Sequence, residues 1–528
     1  MDAPSEGVGY REMLQGDRFY YGVEVVTTRG PIQAGEQGQL VATAETLLDD
    51  PRVGWISITD NPGGAPMLPP DWLAGLLPQC RSRIVLHLTC KDMNRNGLEA
   101  AAWRYASEGC NNILAITGDY PTTGYGGLAD PVFDLDSIGL IAMLASMNRG
   151  MKVPGRGGKI ETLPPTDFFT GCVISPFKRH ERELLPQYFK LIRKIDVGAQ
   201  WVIPQLGYDM RKFHEIKLLL EGRQRSVPVV GNVYLLTKGV ARLFNSGKLA
   251  GCVVSDELLE QVNKYAAGED KGRKFFRDLA AKQLAVFKGL GFAAGYLGGM
   301  GKPETFSRII ETAESFGQDD WRDFLKEIQF SQPGEFFLFD HDPATGLSEP
   351  DRINPEYLQS LKKPPKSKQV TLNYRLSRLV HGLAFTRDRG LYGLARRVFA
   401  RWNGRNTVLS RLAYAMERQS KRMMYGCEDC GDCSLPECAY LCPRASCSKC
   451  GRNGPCGGSR DGRCELDDKE CIWARAYERL KYFGESEQML DRPVVLYNAN
   501  LKHTSSWANT YLDRDHHAPV EQEEPNIQ

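Results

Sequence analysis

The sequence predicts an α/β chain: a parallel (βα)8 TIM barrel followed by a small cysteine-rich, partly helical metal-binding domain. Three observations carry this. Short apolar, β-rich runs alternate with longer helical patterns from about Phe19 to Met300. There are eight such runs, the number a closed parallel barrel needs. Ten of the fifteen cysteines fall between Cys427 and Cys471.

The elements follow in order. Residues 1–17 are polar, carry acids and read as an N-terminal arm. They have neither the apolar stretch of a secretion signal nor the Arg-rich, acid-poor character of a transit peptide, so a cytoplasmic location is expected. The strand runs are YYGVEVVT (20–27), VGWISITD (53–60), RIVLHLTC (83–90), NILAITGD (112–119), TGCVIS (170–175), QWVIPQL (200–206), VPVVGNVYLL (227–236) and FAAGYLGG (292–299). Helical stretches between them include 97–109, 181–198 and 273–291. A doubly wound open sheet is the alternative, but no G-x-G-x-x-G follows the first strand. The barrel is assigned to 18–330. Residues 331–395 begin with a Pro-, Gly- and charge-rich stretch and read as a linker or an ordered arm. The cysteine-rich domain is assigned to 396–512, and the polar, acidic tail 513–528 is expected to be disordered.

Composition narrows the partners. Hydrophobic content of 42% and charged content of 25% are those of a globular protein. A formal net charge of +2 makes no general case for nucleic acid. No apolar run reaches the roughly 18 residues of a membrane span.

In such a barrel the chemistry sits at the C-terminal ends of the strands. Glu24 lies inside the apolar first strand, where a carboxylate is costly unless paired or used. It reads either as a barrel-interior ion pair or as a proton donor with a raised pKa. Thr59 and Asp60 end the second run, His87 and Thr89 the third, Thr117-Gly118-Asp119 the fourth and Gln205 the sixth. Any one of these could cap or turn the chain; four polar strand ends besides Glu24 are harder to attribute to capping alone.

At these residues a family becomes visible. The order G-V-E (22–24), H-L-T-C (87–90), A-I-T-G-D-Y-P (115–121) and R-K-I-D-V-G-A-Q-W-V-I-P-Q (193–205) resembles methylenetetrahydrofolate reductase over about residues 18–300. The resemblance implies a flavin at the C-terminal mouth, FAD by default, and a tetrahydrofolate one-carbon substrate stacked on it. It implies Glu24 as general acid and Asp119 as the carboxylate near flavin and folate. Gln205 then hydrogen-bonds the pterin, and Thr59, His87, Thr117, Gly118 and Lys194 contact flavin. The reaction implied interconverts 5,10-methylenetetrahydrofolate and 5-methyltetrahydrofolate, with hydride transfer at flavin N5. A protonated carboxyl suits it, because opening the folate ring leaves charge on a departing nitrogen. A carboxylate such as Asp119 can stabilise the iminium cation that results.

The sequence departs from the family around the fifth run. In GCVISPFKRHE, Ile174 stands where the family has a tyrosine and Lys178 where it has a flavin-site histidine. Gln187 replaces an acidic flavin ligand, and 155–169 reads as an insertion. FMN needs fewer of these contacts than FAD. The changes leave the nicotinamide site without support, so the electron partner is either NAD(P)H or a redox protein such as ferredoxin. A homo-oligomer is expected.

The cysteines read as metal ligands, since no secretion signal supports a disulfide framework. Cys427, Cys430, Cys433, Cys438 and Cys442 form C-x2-C-x2-C-x4-C-x3-C-P, close to a ferredoxin-type run with one extra cysteine. Either Cys438 or Cys442 could be the fourth ligand. Cys447, Cys450, Cys456 and Cys464, with Cys471 beyond, could hold a second cluster or zinc. An adjacent flavin favours a [4Fe-4S] cluster, which gains an electron partner; zinc remains open. CGDC (430–433), RNGPCGG (452–458), GRCE (462–465) and CIWARAYERLK (471–481) resemble the C-terminal domain found with some bacterial methylenetetrahydrofolate reductases, fused or as a separate small subunit in acetogens. Two other functions compete: a folate-dependent methyltransferase with a zinc-thiolate domain, and a non-catalytic electron-transfer subunit. Glu24, Asp119 and Gln205 together favour the oxidoreductase.

Overall fold

The computed structural model describes residues 8–518 except 34, 156, 158, 250, 388 and 403–406. The chain divides into two units, residues 1–359 with 455–468, and residues 360–454 with 469–528.

The first unit is the expected barrel. Its strands are β1 (Tyr20–Val25), β2 (Val53–Ile58), β3 (Ile84–Thr89) and β4 (Asn112–Ile116). A small hairpin follows, β5 (Lys152–Pro154) with β6 (Ile160–Thr162), formed by the insertion expected at 155–169 and the residues just before it. Then come β7 (Phe169–Ile174), β8 (Trp201–Pro204), β9 (Val230–Tyr234) and β10 (Ala294–Gly298). The parallel sheet runs β8-β7-β4-β3-β2-β1-β10-β9, and a parallel bridge from Val202 to Val229 joins β8 to β9. All eight expected runs are strands. Both faces of such a sheet are covered, so its strands are apolar almost throughout.

The N-terminal arm has a structural task. The helix Tyr10–Gln15 buries Tyr10, Met13 and Leu14. Tyr10 packs on Trp55 at 4.9 Å, Trp201 at 5.2 Å and Phe169 at 6.0 Å between ring centroids. Phe169 and Trp201 begin their strands, so this helix stops the N-terminal end of the barrel and leaves the C-terminal mouth for chemistry. The two tryptophans lie flat against glycines. A Cβ on Gly22 would fall 2.0 Å from the Trp55 ring, and one on Gly171 would fall 2.1 Å from that of Trp201. Gly171→Ala is therefore expected to overpack the barrel floor by about 1–3 kcal/mol. A thermal melt should show a Tm lowered by several degrees.

Residues 331–359 are an ordered arm. Buried Glu215 accepts the backbone N–H groups of Leu338 (2.5 Å) and Phe339 (3.1 Å), and Tyr188 donates to it as well. Beyond it lies a two-stranded hairpin, β11 (Phe339–His341) with β12 (Ser348–Ile353).

The second unit is helical around its cysteine loops, with helices Leu372–Ala384, Gly390–Trp402, Val408–Tyr425, Ile472–Tyr482 and Ser506–Tyr511. Part of the expected linker 331–395 is thus helical and belongs here. The tail also differs from expectation: Asp513 accepts hydrogen bonds from Arg387 and Arg396, and residues 515–517 are hydrogen-bonded into the unit. The remainder of that expected disorder, 519–528, lies outside the described residues. Among the described residues no helix is long and apolar enough to cross a membrane.

Candidate functional site

The strand ends place the predicted residues around one mouth. Glu24 pairs in register with Ser57 of β2, and its Oε2 accepts the Gly299 N–H at 3.3 Å. Burial raises its pKa, and the Gly299 hydrogen bond only partly offsets this. Ser57 Oγ lies 2.7 Å from His87 Nε2. Burial holds His87 down at about 4, so the imidazole is neutral near pH 7. Thr59 follows β2 with its hydroxyl buried and without a hydrogen-bond partner among the described residues. Asp60 accepts both the N–H (3.0 Å) and the hydroxyl (2.7 Å) of Thr89, tying β2 to β3.

After β4 come Thr117, Gly118 and Asp119. Gly118 has φ +90, and a Cβ there would press on Thr89 and Lys91 at 3.0 Å. Asp119 Oδ2 accepts the Gly63 N–H at 2.9 Å, which joins the loops after β2 and β4. Gln205 follows β8; its backbone N–H donates to Ile174 O at 2.7 Å, and its Oε1 accepts the Leu206 N–H at 3.0 Å. Lys194 is buried on the helix Glu181–Asp196 and donates to Val173 O at 2.6 Å. Burial lowers its pKa to about 8.

Sequence reasoning missed several neighbours. Cys252 is buried within electrostatic reach of Asp119, Glu24 and Lys178, and burial, followed by those two carboxylates, raises its thiol to about 12. Tyr234 and Tyr296 also lie within reach of Glu24. Tyr234 closes β9 and so carried the same strand-end signal as Gln205. Cys252 sits between two helices, where no periodicity marks it.

The region beyond β7 holds a segment from far along the chain. Lys178, expected at the flavin, donates to Gly457 O (2.6 Å) and Ser459 O (2.5 Å). Gln187 donates to Cys456 O at 2.6 Å and Lys190 to Pro455 O at 3.0 Å. Three side chains of the barrel thereby hold residues 455–459. A Cβ on Gly251 would stand 3.3 Å from Gly457 O and 3.5 Å from Gln205 Nε2, so this loop reaches the neighbourhood of Gln205. A cleft lies alongside, lined in part by Lys178, Glu183, Cys252, Gly458 and Asp461. Hydrogen bonds from a charged donor contribute about 1.5–3 kcal/mol each. Lys178→Met is expected to raise amide exchange of 455–468 by about 10-fold or more, measured by hydrogen exchange with mass spectrometry.

A family model for methylenetetrahydrofolate reductase matches residues 11–287, more than half of the chain. The chain belongs to the methylenetetrahydrofolate reductase family. A second model, the methylenetetrahydrofolate reductase C-terminal domain, matches residues 407–498. Among solved structures, a Clostridium thermocellum protein that binds two copies of 5-methyl-5,6,7,8-tetrahydrofolic acid aligns at 10% identity and TM-score 0.42, over 58% of this chain and 98% of its own. A provisionally assigned deoxyribose-phosphate aldolase from Toxoplasma gondii, in apo form, aligns at 10% identity and TM-score 0.28, over 56% and 95%. Both scores are too low to bear on function.

The reductase C-terminal region carries the cysteine cluster. Gly426, in the left-handed region at φ 65, ends the helix Val408–Tyr425 and turns the chain into Cys427. Cys433 lies within electrostatic reach of Cys427, Cys430 and Cys442. Burial raises all three of those thiols, Cys430 to about 12 and Cys442 to about 11. Reactive redox thiols have lowered values instead. Lys421 stands beside Cys433 and Cys427, and Arg452 beside Cys450 and Cys430, so cations face these sulfurs. Cys438 is fully buried, with its thiol 3.9 Å from Arg452 O. Cys447 accepts the Gly451 N–H at 3.4 Å, and Cys471 caps the helix Ile472–Tyr482. Cys456 and Cys464 lie on the segment that groups with the barrel. Among the described residues no three cysteine sulfurs converge within 4.8 Å.

Proposed function

We propose that this reductase-family protein interconverts 5,10-methylenetetrahydrofolate and 5-methyltetrahydrofolate on a bound flavin, with Glu24 as the general acid. One observation carries the reading: a carboxyl with a raised pKa stands on β1 at the same barrel mouth as Asp119 and Gln205. A flavin bound there supplies or accepts the hydride at N5.

The chain's residues fit that group. The partnerless buried hydroxyl of Thr59 has its donor and acceptor capacity to spare, and His87, Thr117, Gly118 and Asp119 line the adjoining strand ends. Lys178 and Gln187 are engaged by the 455–459 loop, which supports a flavin held mainly from the β2–β4 side. Lys194 is held at β7, through Val173 O.

Glu24, whose acid form burial favours, delivers a proton to the folate nitrogen released as the ring opens. Asp119 faces the resulting iminium cation with a negative charge. Gln205 offers a side-chain amide to the pterin edge. Cys252 and the 455–459 loop exclude water from that side of the mouth, which strengthens these interactions.

In the C-terminal region, Cys427, Cys430, Cys433 and Cys442 suit a [4Fe-4S] cluster. Their spacing, with Pro443 after Cys442, is close to that of a ferredoxin-type run. Cys442 is favoured over Cys438, whose sulfur is buried toward Arg452 O. The exposed apolar residues Leu372, Leu376, Leu379 and Leu383, spaced along one helix, support a homo-oligomer.

The test is direct. Anaerobic protein carrying reduced flavin should convert methylenetetrahydrofolate to methyltetrahydrofolate. Failure to interconvert the two folates, with any reduced artificial donor, would leave the methyltransferase and electron-transfer roles.

A further inference from the structure

We propose that Glu437, His516 and His517 form a site for one divalent transition-metal ion of the zinc or ferrous class, distinct from the cysteine thiols. Their ligand atoms all lie within 4.8 Å of one another. His517 Nε2 is 3.0 Å from Glu437 Oε1, and His516 Nε2 is 3.5 Å from Glu437 Oε2. Ligands at about 2.0–2.2 Å around one tetrahedral ion stand about 3.3–3.6 Å apart. The two contacts, one to each oxygen of Glu437, lie close to that spacing.

The His516 ring is also oriented as a metal-binding imidazole is, whereas His517 Nδ1 makes an ion-pair contact without a hydrogen bond. His516 Nδ1 lies 2.6 Å from Asp432 Oδ1, and His517 Nδ1 lies 3.4 Å from Asp515 Oδ1. A carboxylate on Nδ1 fixes the ring and turns Nε2 toward the ion. Asp432 is itself held by the Asn498 N–H at 2.9 Å, and Asp515 by the Thr510 hydroxyl at 2.6 Å.

Burial makes the arrangement informative. The side chains of His516 and Glu437 are 1% and 6% exposed. His516 Nε2 and Glu437 Oε2 face each other, yet neither has a hydrogen-bond partner among the described residues. Two such orphaned atoms are expensive unless something lies between them. A divalent ion also offsets part of the charge of three buried carboxylates, Asp432, Glu437 and Asp515. Imidazole and carboxylate ligands suit zinc or iron(II), whereas the nearby thiols suit softer sites. Three protein ligands leave a fourth position, reachable past His517, which is 32% exposed. The ion would staple residues 515–517 to the loop carrying Cys433 and Cys438.

The test uses the full chain, purified anaerobically. Wild type is expected to hold about one more equivalent of zinc or iron than His516→Ala/His517→Ala, with sulfide and cysteine-bound metal unchanged. After mild chelation, wild type should take up one Co2+ whose visible bands lack thiolate charge transfer. Asp432→Asn keeps all three ligands and is expected to weaken Co2+ binding about 10–100-fold, so it decides the matter if the double variant does not fold. Equal metal counts in wild type and variants, or no nitrogen- and oxygen-bound Co2+ in wild type, overturn the site and leave an ion-pair network held by protons.

Discussion

Glu24→Gln should lower folate turnover by about 10²–10⁴-fold, the usual contribution of a positioned general acid, while the flavin stays bound. The substitution keeps the shape of the side chain and can still accept the Gly299 N–H, so the barrel mouth is preserved. What it removes is the proton. Steady-state kinetics with an artificial electron donor, together with the flavin absorption of the variant, check both halves. Near-normal activity would mean that Glu24 is only a barrel-interior carboxylate. A pH profile adds a second check. The folded-state pKa of Glu24 lies above its ordinary value, so the acid form survives to higher pH than a solvated glutamate allows. Activity that depends on it is full below that raised value and falls as pH rises through it. Stability follows the same sign: ionising buried Glu24 costs stability as pH rises through its folded value, a loss that Gln at this position cannot suffer. The melting temperature of the variant should therefore fall less than that of wild type over this window.

Replacing Cys430 and Cys433 together by alanine is the second large effect. Iron content and electron delivery from a protein or nicotinamide donor should drop to near background, while dye-linked activity of the barrel persists. Both cysteines lie in the second unit, and the barrel strands lie in the first. Metal analysis and the two activities, measured on one preparation, separate the outcomes. Loss of both activities together would assign the cysteines to folding rather than to electron transfer.

The barrel was legible because its signal is local. Each strand is an apolar run a few residues long, and polar residues at run ends mark the mouth, as Thr59, Asp119 and Gln205 do. Glu24 stood out because a carboxylate in an apolar strand violates the pattern around it. What escaped notice depends on distant partners. Lys178 looks like a cofactor ligand until residues 455–459 arrive to accept its hydrogen bonds and those of Gln187 and Lys190. His516 and His517 lie in a tail whose composition reads as disordered, and their order comes from Asp432 and Glu437 some eighty residues earlier. Neither pairing leaves a trace in spacing or periodicity. The extra cysteine in the ferredoxin-like run had the same ambiguity, which burial of Cys438 toward Arg452 O reduces.

The half-reaction of the bound flavin tests the central claim most directly. Anaerobic, oxidised protein is mixed with methyltetrahydrofolate, and the visible flavin band is followed with product analysis. The account predicts bleaching of that band, one methylenetetrahydrofolate formed per flavin reduced, and no bleaching in Glu24→Gln. A protein that binds no flavin, or a flavin that stays oxidised in the presence of methyltetrahydrofolate while an artificial reductant bleaches it, would contradict the account.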